Sequence, residues 1–206
     1  MESQDRSTGA VALWGILCAN VVVYLLMGMR FGNIRFSAPQ AAEWGAIYAP
    51  WVRDGETWRL FAANYIHFDL RHIVFNMLAL LSWGGVLAAR LGFVRFFLLY
   101  TASGLAGSLA SLWSHPSTVC AGASGAISGI LGALVGLYFL GDPALNGAGI
   151  LQAVGYSAAY SFIMPSIDWQ AHAGGFVGGA VLGFLVLAGA PKRDFGPQIE
   201  ADTDPG

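Results

Sequence analysis

Long runs without Asp, Glu, Lys or Arg dominate the chain and separate its charged positions. A helix that crosses the hydrocarbon core of a bilayer needs about 20 apolar residues, so each run is measured against that length. Residues 7–29, between Arg6 and Arg30, form the first run, and residues 72–89, between Arg71 and Arg90, the second. Residues 96–141 are too many for one helix, and Ser114-His115-Pro116-Ser117-Thr118 divides them with turn chemistry into a third and a fourth. Residues 143–167, ending near Pro165, supply a fifth, and residues 169–191 a sixth. The pattern predicts an all-α polytopic membrane protein with six transmembrane helices. The first run is too long and too weakly basic at its start for a cleaved signal peptide, so it is expected to remain in the membrane. Residues 1–9 and 191–206 read as polar tails around a core of residues 10–190. The one long connection, residues 30–71, mixes Trp44, Trp51 and Trp58 with charges, as a segment lying at the membrane interface does.

Composition sharpens this picture. Of 206 residues, 56% are apolar and 11% charged, against about 25% charged in an ordinary globular chain. Too little charge is present to coat a soluble core, and the mean hydropathy of +0.59 excludes disorder. A net charge of −2 provides no basic footprint, so nucleic acid is not an expected partner. Cys18 and Cys120 make neither a disulfide framework nor a thiol metal site and read as packing residues. Arg6, Arg90, Arg95, Lys192 and Arg193 fall on one side of the six-span topology, and Arg30, Arg35, Arg53, Arg59 and Arg71 on the other. Counting short loops and tails favours termini in the cytoplasm.

Polar groups inside apolar runs are costly, so their positions point to function. His72 and Asn76 open span two, Ser124 opens span four and His172 lies near the start of span six. Even-numbered spans run in one direction, which puts these groups at one end of the bundle, in a shallow pocket under loops one, three and five. Gly125, Gly129, Gly132 and Gly136 in span four, and Gly174, Gly175, Gly178, Gly179 and Gly183 in span six, give surfaces that let two backbones approach. If those faces meet, Ser124 comes within reach of His172, as a nucleophile and its general base. Gly122-Ala123-Ser124-Gly125 turns into a helix start, where free backbone N–H groups can receive a developing oxyanion, and Asn76 and His72 would add side-chain donors.

Each feature alone has a plainer reading. A Gly-x-Ser-Gly run usually packs helices, an isolated His can be a core or proton-relay residue, and Asn76 can bridge two helices. Their convergence from three separate segments outweighs those readings. Asp168, one turn before His172, reads as the cap of the sixth helix rather than a third catalytic member. His67 and His115 sit in or beside loops. No zinc-type spacing is present, so neither a metal nor a cofactor is expected. Arg59, beside Trp58 and near Glu56, reads as the pin of an interfacial loop.

These residues resemble the rhomboid intramembrane serine proteases. The likeness lies in Glu56-Thr57-Trp58-Arg59, in His67-Phe68-Asp69-Leu70-Arg71-His72-Ile73-Val74-Phe75-Asn76, in Gly122-Ala123-Ser124-Gly125 and in Ala171-His172-Ala173-Gly174-Gly175, in matching order over roughly residues 10–190. The resemblance implies a six-helix bundle that cleaves transmembrane segments of single-pass proteins within the lipid bilayer. Ser124 would be the nucleophile and His172 its base; Asn76, His72 and the Ser124 N–H would form the oxyanion site. Gly122 and Gly125 would support that site, and Trp58 and Arg59 the first loop. One position departs from the family: Ser128 stands where an aromatic residue usually stacks on the catalytic His. The Ser128 hydroxyl, Phe176 or Tyr160 is then expected to orient His172. The chain is expected to be a minimal catalytic core of a bacterial-type plasma membrane, with its site opening opposite the termini. Two alternatives are a noncatalytic rhomboid-like protein that binds membrane helices, and a channel or transporter, which the lack of inverted halves disfavours.

Overall fold

The computed structural model describes residues 2–142, 145–163 and 167–187. Helix α1 (Glu2–Phe31) buries Ala12, Leu13, Ile16, Asn20, Tyr24 and Met27. Their three- and four-residue spacing is that of one helical face. Val11, Trp14, Val22, Leu25 and Met29 on its other faces are apolar and exposed. A helix apolar all round fits a lipid environment better than water. The helix begins at Glu2. A Cβ at Gly9 would run into the carbonyl of Ala88, so α1 crosses the chain there backbone to backbone.

After the first loop, α5 (Leu70–Ala79) passes through a π-helical turn (Leu80–Gly84) into α6 (Gly85–Ser114). Gly92, at φ 69° and ψ −176°, breaks α6, a conformation that a side chain would strain. The break separates residues 70–91 from 93–114 and falls between Arg90 and Arg95, where the charge pattern parts spans two and three. Among the described residues two helical stretches are long and apolar enough to cross a membrane. They are Ser7–Phe31 and Leu70–Ser114, with best-window mean hydropathies of 2.2 and 1.7. Helices α7 (Ser124–Phe139), α8 (Gly147–Ile163) and α9 (Trp169–Leu187) complete a nearly all-α bundle. The C-terminal tail expected at 191–206 lies outside the described residues.

Helix α7 is the centre of this bundle and is buried continuously from Gly125 to Leu134. Helix α9 lies along it with almost no side chain between them: a Cβ at Gly175 would strike the Gly125 carbonyl, and one at Gly179 the Gly129 backbone. Such contacts require glycine on both helices. Helix α6 closes the third side, with Gly107 against Gly125 and Ala171. Cys18, read from the sequence as a packing residue, does not pack inside this core; it is exposed on α1, where an apolar residue faces outward at no cost in lipid.

The first loop carries α2 (Ala38–Glu43), β1 (Ile47–Tyr48), α3 (Ala49–Arg53), α4 (Arg59–Ala62) and a 3-10 turn (Ala63–Tyr65). Strand β1 pairs antiparallel with β2 (Val119–Cys120), with Ile47 opposite Cys120 and Tyr48 opposite Val119. This ties the loop to the segment just before α7. Arg59, 5% exposed, holds the loop from inside. Its Nε donates to Glu56 Oε2 at 2.7 Å, its Nη1 donates to the carbonyls of Ala42 at 2.6 Å and Ala46 at 3.1 Å, and its guanidinium packs on the rings of both Trp51 and Trp58. Trp58 and Arg59 thus meet inside the first loop. Arg59→Ala should destabilise the protein by about 2–4 kcal/mol, because it strips partners from buried carbonyls and empties a filled site. A thermal melt in detergent that stays at the wild-type temperature would refute this.

Candidate active site

Three helix starts converge at one end of the bundle. Asp69 caps α5: its Oδ1 accepts from the His72 N–H at 2.9 Å. One turn on, Asn76 is buried at 7% exposure, and its Nδ2 donates to the His72 carbonyl at 2.9 Å. The Phe68 N–H approaches His72 Nδ1 at 3.5 Å. An Nδ1 that accepts leaves the proton on Nε2, so the far side of this ring is a donor. That Nε2 faces the turn before α7, since a Cβ on Gly122 would lie 2.8 Å from His72 Nε2 and 3.6 Å from Ser124 Oγ. Gly122 has φ 142°, and its N–H donates to the Ala63 carbonyl at 2.9 Å. Gly122 is therefore required both by its backbone and by the room it leaves between the His72 ring and the Ser124 hydroxyl.

Ser124 is the first residue of α7, half-buried, with Gly125 next to it packed against α9. A Cβ at Gly125 would lie 3.4 Å from the Ala171 carbonyl, so the neighbours in sequence of Ser124 and His172 touch across the α7–α9 seam. Asp168 caps α9, its Oδ1 accepting from the Ala171 N–H at 2.9 Å, as its position suggested. The same carboxylate lies 3.3 Å from His115 Nε2, which ties the end of α6 to the start of α9. His172 is half-buried, and its Nδ1 is 2.6 Å from the hydroxyl of Ser161 on α8. The expected orienting groups were Ser128, Phe176 or Tyr160. The hydroxyl found at the ring is instead Ser161, while Ser128 is buried within α7 and the Tyr160 side chain lies outside those described. Ser161 sits four residues from Ser157, in Ser157-Ala158-Ala159-Tyr160-Ser161, and only that spacing hinted at it.

Two further groups border the site from the loops. His67 is fully buried, edge-on to His72 with ring centroids 4.9 Å apart. Burial, and the adjacent His72, hold it well below the ordinary histidine range, so it is neutral packing under the site. Cys120 sits in β2, and burial pushes its thiol up to about 11. It is therefore a protonated, unreactive group at neutral pH.

The Rhomboid domain family model matches residues 54–189, which contain every residue of this site. The chain is 33% identical over 189 residues to the Rhomboid protease GluP of Bacillus subtilis (strain 168), covering 89% of this chain and 36% of that protein. It is 35% identical over 160 residues to RHOMBOID-like protein 5 of Arabidopsis thaliana, covering 73% of this chain and 51% of the relative. The Putative rhomboid protease YdcA of Bacillus subtilis (strain 168) is 30% identical over 146 residues, 69% of this chain and 73% of its own length. Of RHOMBOID-like protein 5 and GluP the chain thus spans about half and about a third of the length. On the family match and these identities, the chain belongs to the rhomboid family of intramembrane proteases and their relatives, and is an integral membrane protein.

Proposed function

We propose that this chain is a serine endopeptidase that cuts transmembrane segments of single-pass membrane proteins, with Ser124 as nucleophile and His172 as its base. The observation that carries the reading is the backbone seam at Gly125, Ala171 and Gly175. There the residues next to Ser124 and His172 in sequence meet backbone to backbone, which supports a Ser–His pair formed across the seam.

The chemistry follows from the groups present. Ser124 Oγ attacks the scissile carbonyl carbon while its proton passes to His172 Nε2. The carbon–nitrogen bond breaks as that proton moves to the departing amine, leaving an acyl group on Ser124. Water then attacks the acyl carbon, gives a proton to His172, and releases the new carboxyl end as Ser124 regains its hydrogen. Negative charge on the tetrahedral oxygen falls near His72 Nε2–H, Asn76 Nδ2 and the Ser124 N–H. Asn76→Ala should lower kcat by about ten- to a thousandfold with little change in KM, the scale for loss of one oxyanion donor. Equal activity in that variant would remove Asn76 from the oxyanion site.

Six crossings, by α1, residues 70–91, residues 93–114, α7, α8 and α9, fit the family and the bundle. Water must reach the acyl group, so the site opens toward the face that loops one, three and five cover, opposite cytoplasmic termini. The membrane proposed is a bacterial-type plasma membrane, as the Bacillus relatives suggest. Substrates would enter sideways past α8 and carry helix-weakening residues near the cut, since an intact helix hides its carbonyl carbons. Incubating the purified protein and its Ser124→Ala form with a panel of transmembrane peptides tests the reading. Products found by mass with wild type alone support it, and no cleavage of any peptide favours the noncatalytic, helix-binding alternative.

A further inference from the structure

Ser161 Oγ makes two close contacts at once: it lies 2.7 Å from the Ser157 carbonyl, one turn back on α8, and 2.6 Å from His172 Nδ1. A hydroxyl has one hydrogen, and a carbonyl can only accept. The hydrogen therefore goes to Ser157, the back-bonding that helical serines favour. What Ser161 offers His172 is a lone pair. Nδ1 must then be the protonated nitrogen of the neutral ring, and Nε2 is left with its lone pair free. His72 shows the opposite assignment, because Nδ1 accepts from the Phe68 N–H and Nε2 carries the hydrogen. The contacts thus favour opposite tautomers for the two imidazoles, one through a backbone N–H and the other through a hydroxyl.

We propose that Ser161 is a positioning residue that selects the Nδ1–H tautomer of His172, so that Nε2 is the nitrogen available to accept a proton. The assignment deepens the Ser124–His172 reading and rests on it for its functional meaning. Ser161 plays the part that a carboxylate plays in a three-membered catalytic set, but as a neutral acceptor. A neutral acceptor suits this position, for a buried carboxylate beside a half-buried ring would carry a large desolvation cost. Ser161 is also on α8, the helix past which substrate is proposed to enter. Displacement of α8 beyond hydrogen-bond reach would therefore release the ring.

The test reads the tautomer directly. Protein labelled with 15N-histidine is reconstituted in detergent at neutral pH, and the two ring nitrogens of His172 are assigned against a His172→Gln sample. Wild type should show a protonated Nδ1 and a bare Nε2. Ser161→Ala should shift His172 toward the Nε2–H form and lower kcat/KM by about ten- to a hundredfold, less than the ~10⁴ that a wrongly set tautomer can cost, because water can partly replace the hydroxyl. Ser161→Thr keeps the back-bonding hydroxyl and should recover both signals and rate. A bare Nδ1 in wild type, or an unchanged tautomer and rate in Ser161→Ala, overturns the proposal. If Ser161→Ala does not fold, the wild-type spectrum and the Ser161→Thr comparison still decide. A wild type that cleaves nothing yet shows the expected tautomer would refute the protease reading while supporting the role of Ser161.

Discussion

Ser124→Ala is expected to abolish cleavage of a transmembrane substrate, a loss on the order of 10⁶-fold for removal of a serine nucleophile, while the melting temperature stays at the wild-type value. The expectation follows from position. Ser124 starts α7 at a half-buried site, its backbone is held by the Gly125 seam, and the change removes one oxygen without opening the core. A structural serine and a nucleophilic one therefore separate cleanly: the first would lower the melt, the second only the rate. Persisting cleavage in the variant, measured as product mass, would move the chemistry to another group. Loss of both activity and fold would make Ser124 a packing residue.

Gly179→Ala is expected to have the largest effect on the fold. The added methyl would strike the backbone of Gly129, and no side chain is present there to swing away. Overpacking a core typically costs about 1–3 kcal/mol, and more where only backbone can yield, so about 3 kcal/mol or more is expected here. The two helices would separate along the seam where Gly125 meets Ala171 and Gly175, next to the proposed nucleophile and base, so activity should fall with stability. Gly155→Ala on α8, where a Cβ meets nothing within 4 Å, is the matched control and should melt as wild type does. A Gly179→Ala protein with normal melt and normal activity would mean that α7 and α9 are not in backbone contact.

The parts of this architecture that could be read in the sequence are those that repeat or interrupt. Uncharged runs and the Ser114–Thr118 turn located the helices, and small residues four apart on spans four and six named the seam that packs at Gly129 and Gly179. Asp168 was legible as a cap because capping is a local effect, settled within one helical turn. Partners from elsewhere in the chain were not legible. Ser161 and Ser157 look the same in sequence, and which of them meets His172 depends on how α8 is rotated against α9. Strands β1 and β2, of two residues each, are too short to show alternation. The tie from His115 to Asp168 joins two loop-end residues through tertiary geometry alone.

The most direct measurement of the central claim uses a fluorophosphonate, which reacts with a serine only when a base activates it. Wild-type protein in detergent is treated with the probe, and the modified residue is located by peptide mass. A single adduct on Ser124, lost when His172 is replaced by Ala, is expected. An adduct on another serine, no adduct at all, or undiminished labelling of the His172→Ala protein would contradict it.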